Sequence, residues 1–186
     1  MVITTARLVL RPWRDDDAPA LQRLAGRREI ADTMISIPHP FTLEYAARWI
    51  AGHAGAFARG EAVHFAITLA DDGALAGAVE LRAISAEHQH AELSCWIGVE
   101  WWGRGLATEA THAVVRHGFE CLGLNRIVAF HMVRNPASGG ALAKVGMRPE
   151  GLQRQAVCKW GRFEDVVPLA ILRDDWARGA RPARDG

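Results

Sequence analysis

Trp96-Ile97-Gly98-Val99-Glu100-Trp101-Trp102-Gly103-Arg104-Gly105-Leu106-Ala107-Thr108-Glu109-Ala110 is the stretch that decides this fold: an apolar run ends in two close glycines and a helical pattern begins at once. Downstream, Ala107, Ala110 and Val114, then Val115, Phe119 and Leu122, recur at helical spacing, and Gly123 stands where a helix C′ residue is expected. The helix N-terminus therefore points out of the end of the strand. Its first N–H groups lack intrahelical partners and the helix dipole is positive there, so the turn favours an anion, most often phosphate. Gly103 and Gly105 let a ligand reach the backbone with no Cβ in the way. Arg104 and the Thr108 hydroxyl add charge and hydrogen bonds. The same glycines also suit a turn needed only for tight strand–helix packing, and both readings stand at this point. A P-loop requires Gly-Lys-Ser/Thr, which is absent. A dinucleotide fingerprint requires glycine or alanine where Thr108 stands and an acid about 20 residues on. The next strand ends instead at Arg134-Asn135, which keeps open only an NADP site that uses the arginine.

Working outward, Leu8-Val9-Leu10 reads as a short first strand, and Asp15-Asp16-Asp17 supplies N-cap and first-turn acids for a helix to about Arg27. Ile37-Pro38-His39-Pro40 is irregular, because proline restricts its neighbour and donates no N–H. Thr42 caps a second helix that ends at Gly60. Strands follow at 63–69 and 75–81 about the turn Asp71-Asp72-Gly73, then at 91–99. After the helix from about Leu106 to Leu122 come a strand at 126–133, a helix at 137–145, and strands at 155–159 and 166–172. Antiparallel strands at the front and a strand–helix–strand unit in the middle predict an α+β (mixed α/β) single domain with helices on both faces of a mixed sheet. The domain is expected over residues 1–175, followed by a charged, Arg/Ala-rich flexible tail over 176–186.

A chain of 186 residues buries most of its unfolded surface in one domain, and its 49% hydrophobic and 23% charged content argues against disorder. Lys+Arg 22 against Asp+Glu 21 leaves a net charge of +1, which gives no general electrostatic reason to bind nucleic acid. No apolar run is long enough to span a membrane. The start Met1-Val2-Ile3-Thr4-Thr5-Ala6-Arg7 lacks the pattern of a signal peptide, and Cys95, Cys121 and Cys158 are odd in number and set in apolar segments. These observations lead us to expect free thiols in a reducing cytoplasm.

Trp102-Gly103-Arg104-Gly105-Leu106-Ala107 resembles the Gln/Arg-x-x-Gly-x-Gly/Ala acetyl-CoA loop of the GCN5-related N-acetyltransferases, the GNAT family, and in particular its RimJ/RimL branch. The likeness extends through Thr5-Ala6-Arg7-Leu8-Val9-Leu10-Arg11-Pro12-Trp13, through Phe119 to Arg126, and through Asn135-Pro136-Ala137-Ser138 to Lys144-Val145-Gly146-Met147. It implies a twisted, mostly antiparallel sheet of six to seven strands. It also implies acetyl-CoA as co-substrate with no metal, and an amine acceptor that is a small molecule or a protein N-terminus. By that resemblance Ile97, Gly98 and Val99 offer backbone groups to the pantetheine arm. N–H groups of Arg104, Gly105, Ala107 and Thr108 hold the pyrophosphate, Asn135 binds the pantetheine, and Ser138 lies near the thioester. The expected assembly is a monomer or homodimer.

Amine acetylation needs a neutral amine, a polarised thioester and a proton for the leaving thiolate. Glu92 is the first candidate base: alternation on its strand sets Glu92, Ser94 and Trp96 on one face and Leu93, Cys95, Ile97 and Val99 on the other. A carboxylate there is costly to bury unless paired or functional, and the competing reading is one held by Arg82 or Arg126 or left in solvent. The N–H near Val99 is expected to stabilise the oxyanion. The family's frequent tyrosine acid is replaced by Leu142, which leaves Ser138 or a water as proton donor, and Gly139-Gly140 predicts a flexible helix start. Leu142 also keeps a non-catalytic acyl-CoA sensor in contention. His88 and His90, even with His131 or Cys95, lack zinc-site spacing and read as solvated loop residues.

Overall fold

The computed structural model describes residues 1–179. The elements are β1 (Ile3–Thr4), β2 (Leu8–Arg11), α1 (Ala18–Ala25), α2 (Arg28–Thr33), α3 (Leu43–Ala58), β3 (Val63–Leu69), β4 (Leu75–Ser85), β5 (His90–Ile97), α4 (Leu106–Glu120), β6 (Arg126–Met132), α5 (Pro136–Lys144), β7 (Arg148–Pro149), β8 (Gln153–Lys159), β9 (Arg162–Leu172) and α6 (Arg173–Gly179). They form one nine-stranded sheet in the order β1-β2-β3-β4-β5-β6-β9-β7, with β8 on β9. The six to seven strands expected are thus too few: the two-residue β1 and β7 are too short to show any alternation.

Local chemistry explains most boundaries. Thr42 Oγ1 accepts from Tyr45 N–H at 3.1 Å and starts α3. Asp15–Asp17 form a 3₁₀ turn that leads into α1; Asp17 stands at the expected N-cap position, but its carboxylate is occupied elsewhere. Its two carboxylate oxygens accept from Arg11 at 2.7 Å each and one also accepts from Arg14 N–H at 2.8 Å. The helix expected to about Arg27 is α1, which ends at Ala25 with Gly26 as its C-cap, and a short α2 that was not expected from the sequence follows.

Alternation on the central strands gives the sheet two apolar faces. Leu93 and Ile97 join Leu8, Val79 and Leu81 under α4, whereas Trp96 joins Ala66 and Ala78 under α1 and α3. Each fully buried leucine or phenylalanine in these layers contributes roughly 1.5–3 kcal/mol. α6 replaces the start of the expected tail: Trp176 lies 4.6 Å from the His112 ring and 6.1 Å from Phe119, ring centre to ring centre. Residues 180–186 of that expectation lie outside the described residues.

The site is positioned by one exception in the ladder. β5 and β6 pair in parallel only at His90–Arg126, Ala91–Ile127 and Glu92–Val128, while the other pairings are antiparallel. Beyond Glu92 and Val128 the two strands diverge. The sheet therefore opens a wedge between Leu93–Ile97 and Ala129–Met132, on the side where the glycine turn leads into α4.

Candidate active site

The wedge and the turn form one cleft of about 570 Å³. It brings together Glu92, Ile97, Gly105, Ala107, Thr108, Asn135 and Ser138 of the expected residues; Gly98, Val99 and Arg104 do not line it. At its base Gly103 and Gly105 have φ of 76° and 75°, the left-handed region that side chains strain to adopt. Gly105 is the N-cap of α4, and its carbonyl receives Glu109 N–H at 3.1 Å, so the N–H groups before Glu109 precede the helical ladder. This is the anion site read from the turn, now opening into a cleft.

Gly98 and Val99 lie past the end of β5 and outside the cleft lining. β5 stops at Ile97 and the chain curls into a 3₁₀ turn over Val99–Trp101. Gly98 N–H donates to Ala76 O at 2.7 Å, Trp101 N–H to Gly98 O at 3.0 Å, and the Trp102 indole N–H to Ile97 O at 2.7 Å. The Gly98 N–H and the Gly98 and Ile97 carbonyls therefore have partners inside the fold. The open strand edges of the wedge supply the free backbone instead.

Across the cleft, Asn135 Oδ1 accepts from Ser138 N–H at 3.3 Å and caps α5, which leaves the Asn135 NH₂ for a ligand. Leu142 is buried in the core, and a Cβ on Gly139 would stand 2.7 Å from His131 Nε2. That glycine answers to close packing against His131 and not to a need for flexibility. Glu92 faces the cleft, and Arg82 holds it: Arg82 Nε–H donates to Oε1 at 3.1 Å and a second guanidinium nitrogen contacts the same oxygen.

A second chamber of about 160 Å³ adjoins the cleft on the face under α1 and α3. Met34, Ser36, Arg82, Ser94 and Trp96 line both spaces. Leu21, Ile37, Phe41, Tyr45 and Trp49 make its walls apolar, and its polar groups include Glu80 and His64, joined Oε2 to Nδ1 at 2.7 Å. His53 stacks on His64 with ring centres 3.9 Å apart; burial first, then the neighbouring His64, pushes its pKa down to about 3. The segment between α2 and α3 roofs this junction, with one tether on the segment itself and one on α2 beside it. Buried Lys159 donates to Met34 O and Ile37 O at 2.8 Å each, and Arg134 joins Asp32 at 2.6 Å to Glu164 at 2.9 Å. Burial lowers the Lys159 pKa, with Arg134 acting in the same sense against Asp32.

Sequence reasoning missed Glu80, His64, Lys159, Arg134 and a brace formed by Thr5, Arg7 and Glu109. The signal for Glu80 was present: it is a carboxylate on a largely apolar strand, costly to bury unless paired or functional, as argued for Glu92. The tethers span 30 to 125 residues and carry no local signal.

A mixed, mostly antiparallel sheet, split between two parallel strands beside a glycine-capped helix, is the arrangement that the resemblance to the GNAT family implies. A dinucleotide oxidoreductase, built on a parallel sheet, does not fit it. Residues 7–148 match the family model described as Acetyltransferase (GNAT) domain, and the chain belongs to that family. It is 30% identical over 172 residues to the uncharacterized N-acetyltransferase YoaA of Bacillus subtilis, covering 92% of this chain and 97% of that one. It is also 30% identical over 184 residues to the ribosomal protein uS5-alanine N-acetyltransferase of Escherichia coli, covering 95% and 93%. Among solved structures, RimL, the ribosomal L7/L12 alpha-N-protein acetyltransferase in complex with coenzyme A, superposes with a TM-score of 0.86 at 22% identity, over 94% of this chain and 99% of that one. The activity is acetyl transfer from acetyl-CoA to an amine. No described helix is long and apolar enough to cross a membrane, and no group of three or more metal-ligating side chains occurs among the described residues.

Proposed function

We propose that the protein acetylates a primary amine bearing an apolar substituent, by direct attack within a ternary complex. The observation that carries this reading is the continuity of the two spaces: the long cleft and the apolar chamber meet at Ser94 and Trp96, so both substrates reach one point from opposite sides. The diphosphate is assigned to the N–H groups of Gly105, Ala107 and Thr108, with Arg104 beside them. The pantetheine arm takes the free edges of β5 and β6 and the Asn135 amide. The exposed N–H groups of the helix start and the open wedge fit such a ligand, whose role is to supply an activated acetyl group. Ser138, in the cleft wall at the first turn of α5, is assigned to protonate the departing thiolate.

The chamber limits the acceptor. Its charged lining is Glu80 and Arg82 with His64, and its remaining walls are largely apolar or aromatic. That suits one ammonium beside an aliphatic or aromatic group and gives a second ammonium nothing to pair with. The uS5-alanine enzyme among the relatives supports a peptide N-terminus as one such acceptor. Cys95, Cys121 and Cys158 are free thiols, which supports a reducing cytoplasm as the setting.

The test is release of CoA thiol from acetyl-CoA with L-phenylalaninamide, L-leucinamide, tryptamine, spermidine and a peptide with N-terminal alanine. The reading expects turnover with the apolar monoamines and little with spermidine. No thiol release from any of them overturns it.

A further inference from the structure

Within the proposed acetyl transfer, on which this inference rests, the geometry points to Glu80 as the residue that takes the proton from the acceptor amine, with His64 as its positioning partner. His64, Glu80 and Ser94 are Cα partners in one row across β3, β4 and β5. Strands lie about 4.8 Å apart, so the row runs roughly 10 Å from beneath α3 to the wall of the wedge. Ser94 is the second residue of β5 past Glu92, the last position paired with β6, so Glu80 stands opposite the opened part of the strand. Glu92 stands at the closed end of the wedge. It shares a guanidinium with its cross-strand partner Arg82.

Glu80 and His64 are nearly buried, with side chains 14% and 13% exposed, and both line the chamber. A buried carboxylate costs several kcal/mol unless it is paired or used. His64 Nδ1 meets Oε2 at 2.7 Å, while Arg82 reaches Oε1 only at 3.6 Å, so Oε1 keeps room for an incoming ammonium. The charged and titratable groups around the pair are His53 and Tyr45 from α3, Arg82 from β4, Cys95 from β5, and Glu92 behind that arginine.

The transfer then balances. The ammonium gives one proton to Glu80, and the freed nitrogen lone pair forms the C–N bond at the thioester carbon. The C–S bond breaks with its electron pair on sulfur, and the second nitrogen proton reaches that thiolate through Ser138. The third proton stays on the amide nitrogen. Glu80 returns its proton to solvent before the next turnover, and His64 holds Oε2 in place throughout.

The experiment measures CoA thiol release with L-phenylalaninamide at saturating acetyl-CoA, together with KM for acetyl-CoA and the melting temperature. Glu80→Gln lowers kcat at least a hundredfold, the usual scale for a positioned base, while KM for acetyl-CoA stays within twofold. His64→Asn keeps a donor to Oε2 but changes how the carboxylate is held. It lowers kcat about tenfold while KM for acetyl-CoA and the melting temperature stay near wild type, a split that a purely structural partner would not show. If Glu80→Gln does not fold, Glu80→Asp carries the test, with at least a tenfold loss of kcat. A kcat within threefold of wild type in either Glu80 variant overturns this assignment alone. Wild-type failure with every amine tried overturns the function proposed above and this assignment with it.

Discussion

Arg7 Nε–H donates to Glu109 Oε2 at 2.6 Å, which ties the residue before β2 to the first turn of α4 across 102 residues of chain. The other Glu109 oxygen accepts from Thr5 Oγ1 at 2.7 Å and Arg7 N–H at 2.9 Å. Partial burial alone would raise the Glu109 pKa; the hydrogen bonds from Thr5 and Arg7 outweigh it and hold the carboxyl below its ordinary range. Arg7 also donates to Arg104 O at 2.8 Å and so fixes the Arg104–Gly105 peptide plane at the anion site.

The Arg7 side chain is 51% exposed, so the ion pair itself contributes well under ~1 kcal/mol and its effect is geometric. Arg7→Ala is expected to raise KM for acetyl-CoA about fivefold to tenfold, the equivalent of one hydrogen bond of about 1 kcal/mol, and to leave kcat at saturation unchanged. Steady-state kinetics across acetyl-CoA concentrations checks it.

Gly105→Asp is expected to weaken CoA binding at least tenfold in calorimetric titration. The substitution forces a side chain into φ of 75° and sets a negative charge where the diphosphate is assigned. Unchanged affinity would remove the turn from the binding site.

Ser138→Ala is expected to lower kcat tenfold or more with KM for acetyl-CoA unchanged, if this hydroxyl protonates the thiolate. An unaffected kcat gives that role to solvent.

His53 adds an acid sensitivity to the fold. Its native pKa of about 3 lies below the unfolded value of about 6.5, so between these limits the unfolded chain binds a proton that the native chain does not. Stability from this group is therefore complete above about pH 6.5 and declines as pH falls toward 3. His53→Phe keeps the ring and removes the titration. Its melting temperature is expected to fall less between pH 7 and pH 5 than that of the wild type, as read by differential scanning calorimetry.

What was legible in the sequence was whatever depends on neighbours in the chain. The Thr42 cap, the glycine turn at 103–105, the onset of α4 and the two faces of β5 follow from backbone sterics and side-chain periodicity, which act over a few residues. The tertiary structure decided which partner each carboxylate meets, including the choice for Glu92 between Arg82 and Arg126. Glu92 met Arg82 through strand register, Glu80 met His64, and Glu109 met Arg7 from the far end of the chain. It also decided that β5 and β6 part after Glu92, because pairing is set by what packs on both faces of the sheet and no single strand carries that information.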